Sequence, residues 1–112
     1  MAPDTIPALL EQIDELLAST SSSEEPDVLA HLERTLTDGY AHALSLEAHR
    51  LRLERRMSEL AGELHEGNQK RKARELGQLA RELSQNARDL DRLRGTLSEL
   101  RARATAVRSS ST

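Results

Sequence analysis

Four histidines, His31, His42, His49 and His65, are the side chains of this chain whose ordinary pKa lies nearest neutrality. His42 and His49 stand one heptad apart. Metal-binding helices place ligands at i, i+3 or i, i+4, and neither Glu-x-x-His nor His-x-x-x-His occurs here. Asp38 and His42 do stand at i, i+4, but one pair is too few for a site. The histidines are therefore read as solvated or interface side chains. A symmetric dimer could bring copies of His42 or His49 together and make assembly pH-sensitive. With no cysteine, thiolate nucleophiles, zinc–thiolate sites and disulfides are excluded. There is no glycine-rich phosphate loop, no nucleophile elbow and no pocket-forming strand. The expectation is a non-enzyme with no catalytic residue, metal, cofactor or small-molecule substrate.

The second chemical candidate is basic. Lys70-Arg71-Lys72-Ala73-Arg74, with Arg52, Arg55 and Arg56, could form a cationic end suited to nucleic acid or an acidic protein. Glu59, Glu63, Glu66 and Glu75 are interleaved with these residues, and Tyr40, the only aromatic, lies far from them. Cross-helix ion pairing is the reading preferred over nucleic-acid binding, because no ring is available to stack on bases.

These residues ride on two matched heptad arrays. The first places Leu29, Leu36, Ala43, Arg50, Met57 and Leu64 at one core position and Leu32, Gly39, Leu46, Leu53 and Leu60 at the other. The second places Leu76, Leu83, Leu90, Leu97 and Ala104 against Leu79, Asn86, Leu93, Leu100 and Val107. Folding the chain at Gly67-Asn68 pairs positions whose numbers sum to 136. Leu60 then faces Leu76, Leu46 faces Leu90, and Gly39 faces Leu97. The one charged core position, Arg50, meets the one amide, Asn86. Such a polar layer costs stability but penalises every other register, with the guanidinium expected to snorkel outwards.

The arrays predict an all-α, antiparallel two-helix coiled-coil hairpin, with long helices over about 27–65 and 70–107. The hairpin domain spans 27–107, and a domain-swapped antiparallel dimer would satisfy the same layers. Gly67 and Asn68 tolerate the left-handed conformation that ends a helix. Residues 108–112 are expected to be disordered. Residues 19–26 form a Ser/Glu-rich linker whose Pro26 suits a first helical turn.

Within residues 1–18, an acidic amphipathic helix is predicted over about 5–18. Leu9, Leu10, Ile13, Leu16 and Leu17 share one face, opposite Glu11, Gln12, Asp14 and Glu15. So short a helix is marginal alone, so it is expected to dock, folding back over the start of the first long helix near Leu29 to Tyr40. Residues 1–27 hold seven acids and no base, while the rest holds all 16 Lys and Arg. This asymmetry favours docking of one part on the other, or separate partners.

One apolar row lies outside the seam: Tyr40, Leu44, Ala48 and Leu51, at i, i+4, i+8 and i+11. Contiguous exposed apolar side chains mark interaction surfaces, so the row is read as an interface with a second copy or another protein. The folded-back helix could reach Tyr40 and Leu44 but not Leu51.

Length and helix–turn–helix plan resemble the secreted ESAT-6-like hairpins. Their turn carries Trp-x-Gly, where this chain has His65-Glu66-Gly67, and their tyrosine-based export signal has no counterpart after the second helix. The tips of Gre-type transcription factors carry acidic residues that hold magnesium. Here the corresponding tip, Glu66, Gly67, Asn68, Lys70, Arg71, Lys72 and Arg74, is mainly basic. No family is assigned.

The function expected is that of a non-catalytic coiled-coil scaffold, adaptor or assembly subunit, acting as a homodimer, a higher oligomer or with a partner protein. The alternatives are an ESAT-6-like hairpin paired with a similar small protein, or a regulator that inserts its tip into a larger complex. No apolar run approaches the ~20 residues of a membrane span. No signal-like stretch is present, and a cytoplasmic location is the expectation.

Overall fold

The computed structural model describes residues 5–19 and 26–110. They form three helices: α1 (Thr5–Ser19), α2 (Pro26–Gly62) and α3 (Gln69–Ser110). α2 and α3 pack along their length as a helical hairpin, α1 lies against its open end, and the molecule is a rod of 66 × 19 × 17 Å.

The register shows at Gly39. A Cβ placed there would overlap Leu97 Cδ2 and lie 3.3 Å from Leu97 Cγ. A glycine of α2 thus faces a buried leucine of α3, and the two backbones approach closely at that layer.

α2 stops at Gly62, three residues short of the predicted end. The Glu63 amide is shared between the carbonyls of Glu59 and Leu60, and Glu66 N–H donates to Glu63 O at 3.0 Å. Gly67 (φ 84°) and Asn68 (φ 50°) then reverse the chain. The Asn68 carbonyl accepts the Lys72 amide, which opens α3.

At its other end α3 is longer than the sequence implies. Residues 108–110, expected in a disordered tail, continue the helix. Val107 is buried beside them and Arg108 Nη2 donates to Glu33 Oε1 at 2.8 Å. Residues 111 and 112 lie outside the described residues, as do 1–4 and most of the linker, 20–25.

The apolar core falls into two clusters. One joins Leu32, Leu46, Leu90, Leu93, Leu97, Leu100, Ala104 and Val107 to α1. The other, nearer the turn, is built on Leu53, Leu60 and Leu79, with Met57, Leu76 and Leu83 packed against it. The level of Arg50 and Asn86 lies between them.

α1 doubles back on the open end, but it beds chiefly on α3 and only secondarily on α2, not along the start of α2 as the sequence implies. Leu9, Leu10, Ile13 and Leu16 are buried, Leu17 partly so, and Ile6 is buried with them. Ile6 sits one turn ahead of Leu9 and Leu10 on the same face. Its i, i+3, i+4 spacing was the signal for it, and the predicted docking face began too late.

Candidate functional site

Tyr40, Leu44, Ala48 and Leu51 are all exposed, and the three large side chains are exposed to 43%, 67% and 57%. α1 does not cover them. Its Gln12, Glu15 and Leu16 meet His31, Arg34, Thr35 and Asp38 in a groove on another side of α2. The predicted reach of α1 to Tyr40 and Leu44 therefore fails. The leucines of α1 gain more by bedding between two helices, against Leu32 and the Leu93–Val107 face of α3, than by covering one helix alone.

The flank of the seam beside Tyr40 has a regular charge pattern. Arg94 pairs with Glu47 and Arg108 with Glu33. One heptad from each pair, Tyr40 and Arg101 occupy the equivalent positions and together line two shallow grooves. The larger holds about 440 Å³ and includes Leu44. Arg101 makes no ion pair among the described residues. This flank therefore combines exposed apolar side chains with a cation that has no carboxylate opposite.

On the opposite flank, Arg56 Nε donates to Glu75 Oε1 at 3.2 Å. That hydrogen bond, with the charge of Glu75, holds the guanidinium above its ordinary pKa. Further along, a groove of about 490 Å³ opens beside Asn86, lined among others by Leu46, His49, Arg52, Glu82 and Asp89.

The polar layer is not a direct pair. Asn86 is 4% exposed, and its Nδ2 donates to the Leu46 carbonyl at 3.0 Å. Arg50 turns its guanidinium outwards, with Nε 3.3 Å from Glu54 Oε1 on its own helix. Arg50 Nε and Asn86 Oδ1 are both buried without a hydrogen-bond partner. A register slipped by one heptad would set Asn86 against Met57 or Ala43 in place of Arg50.

The tip residues Glu66, Gly67, Asn68, Lys70, Arg71 and Arg74 are exposed. Lys72 is not: it is 9% exposed, and its Nζ donates to the Glu63 carbonyl at 2.7 Å. A cation there adds a second donor to a carbonyl just past the end of α2, which already accepts the Glu66 amide, and complements the helix dipole. Lys72 therefore belongs to the frame of the turn and not to a basic binding surface. Its place one turn into α3, facing the α2 terminus, is set by the turn geometry, which charge counting does not reveal.

His31, His49 and His65 are exposed and His42 is half-buried. Among the described residues no group of three or more His, Cys, Asp or Glu is placed to hold a metal ion. No helix among them is long and apolar enough to cross a membrane. No known family, curated protein or solved structure matches the chain.

Proposed function

We propose that this chain is a non-catalytic coiled-coil interaction protein, in which the hairpin is a rigid mount and the outer face of α2 is the contact surface. The observation that carries this reading is the exposed row Tyr40–Leu44–Ala48–Leu51 on an otherwise charged rod. Leucines so exposed are absent from the hairpin core, and a neighbouring surface that removes their remaining exposed area from water gains about 1–2 kcal/mol for each. Arg101, beside Tyr40, adds a charge that an acidic or hydrogen-bonding partner group would satisfy.

The test is capture by the immobilised chain, with native extract and with purified chain supplied in turn, comparing wild type with Leu44→Glu/Leu51→Glu. The wild type is expected to retain its own copies or a discrete protein, and the variant neither, while both give the same circular dichroism. A variant that retains everything the wild type does would overturn the proposal.

A further inference from the structure

The exposed face of α2 is more regular than four apolar residues. Thr37, Ala41, Leu44, Ala48 and Leu51 are all exposed and follow one another at intervals of four, three, four and three. That is the repeat of a second coiled-coil seam, and within it leucine and alanine alternate.

The alternation is self-complementary in one direction. A twofold axis perpendicular to α2 at the level of Leu46 pairs positions whose numbers sum to 92. Leu44 then meets Ala48 of the second copy, and Leu51 meets its Ala41. Each central layer holds one large and one small side chain, so a single close helix spacing fills them all. A parallel pairing would stack leucine on leucine and then alanine on alanine, which no single spacing fills.

Charge at the rod ends favours the same direction. The open end carries α1, with Glu11, Asp14 and Glu15 exposed and no basic residue anywhere in 1–27; these with Asp27, Glu33, Asp38 and Glu99 outnumber the exposed Arg34, Arg101 and Arg108 and the half-buried Arg103 of the long helices. The tip exposes Arg55, Lys70, Arg71 and Arg74 against Glu59 and Glu66 and is net basic. An antiparallel pair lays the acidic end of one rod beside the basic tip of the other, whereas a parallel pair would bring like ends together.

Building on the interaction reading above, we propose that the occupant of this face is a second copy of the chain, docked antiparallel through α2 about a twofold axis at Leu46. A contact this short buries less than the ~1,200 Å² of a standard interface and forms a reversible dimer.

The chain has no cysteine, so a thiol introduced at one position reports only that position. Ala41→Cys and Leu51→Cys are purified separately, then oxidised alone and as a mixture. The mixture is expected to give several times more cross-linked dimer than either alone. Two copies of position 41 lie ten residues apart along the pair, about 15 Å at 1.5 Å per residue. Sedimentation of the wild type is expected to show mass rising towards twice the monomer with concentration, and Leu44→Glu to stay monomeric with unchanged helicity.

Ala41→Cys cross-linking to itself as efficiently as in the mixture would overturn the antiparallel arrangement. A dimer that survives Leu44→Glu but is lost when residues 1–25 are removed would assign dimerisation to exchange of α1 and overturn the inference. A wild type monomeric at every concentration, yet capturing another protein through Leu44 and Leu51, would end this inference and leave the interaction reading standing. A monomer that captures nothing would end both.

Discussion

The side-chain amide of Asn86 donates to the main-chain carbonyl of Leu46 across the hairpin, 3.0 Å away. In an α-helix that carbonyl already accepts the amide of Arg50, four residues on. Asn86 thus ties α3 to a fixed point on the backbone of α2, level with the gap between the two apolar clusters. Its Oδ1 stays buried and unpartnered, so the tie is made at a cost in stability.

Replacing Asn86 with leucine should therefore stabilise the hairpin. It removes a buried unsatisfied acceptor, worth about 1–3 kcal/mol, against a net hydrogen bond of about 1 kcal/mol. Chemical denaturation should show the gain, and mass measurements a broader set of assemblies, because nothing polar then opposes a slipped register. A loss of stability in Asn86→Leu would contradict this account of the layer.

Two glycine substitutions should have opposite signs. At Gly95 an added Cβ meets nothing within 4 Å, and Gly95→Ala should gain up to ~1 kcal/mol from helix propensity. At Gly39 the new methyl overlaps buried Leu97, and overpacking of about 1–3 kcal/mol should exceed that gain. Thermal melts of the two variants make the comparison. Equal stabilisation would mean that α2 and α3 do not approach closely at Gly39.

Lys72→Ala should leave the Glu63 carbonyl with the Glu66 amide alone and lower stability by about 1–2 kcal/mol, since a part-buried hydrogen bond from a charged donor is lost. Amide hydrogen exchange should quicken around residues 59–66 first. The matching change at exposed Lys70 should be nearly silent.

Removing residues 1–25 should expose the α1-facing side of Leu32, Leu93 and Leu100. Five buried side chains of α1, Ile6, Leu9, Leu10, Ile13 and Leu16, stand to lose about 1.5–3 kcal/mol each before the entropy of ordering the helix is subtracted. The melting temperature should fall, and exchange should quicken at residues 28–36 and 97–107 while the tip is unaffected. An unchanged melt would show that α1 contributes nothing to the fold.

The long-range pattern was legible because matching the two heptad arrays fixes one register. Leu97 falls opposite Gly39 when the arrays are matched, and the structure places them in contact. Gly67 and Asn68 were legible as the two residues able to hold positive φ. Local partners were not. Arg50 lies half-buried beside an acid one turn away on its own helix, Glu54, whereas Asn86 is too short to leave the core and takes a backbone acceptor instead. Lys72 reads as one of a basic run, and only the turn geometry brings it onto Glu63 O. The bed of α1 was missed because the apolar groove it fills exists only once α2 and α3 are paired.

The most direct test of the interaction surface is sedimentation equilibrium of purified wild type and of Leu44→Glu/Leu51→Glu over the same concentration series. The wild type is expected to approach twice its monomer mass as concentration rises, and the variant to remain monomeric with an unchanged helical spectrum. Identical curves for the two proteins would contradict the assignment of Leu44 and Leu51 to a contact between copies.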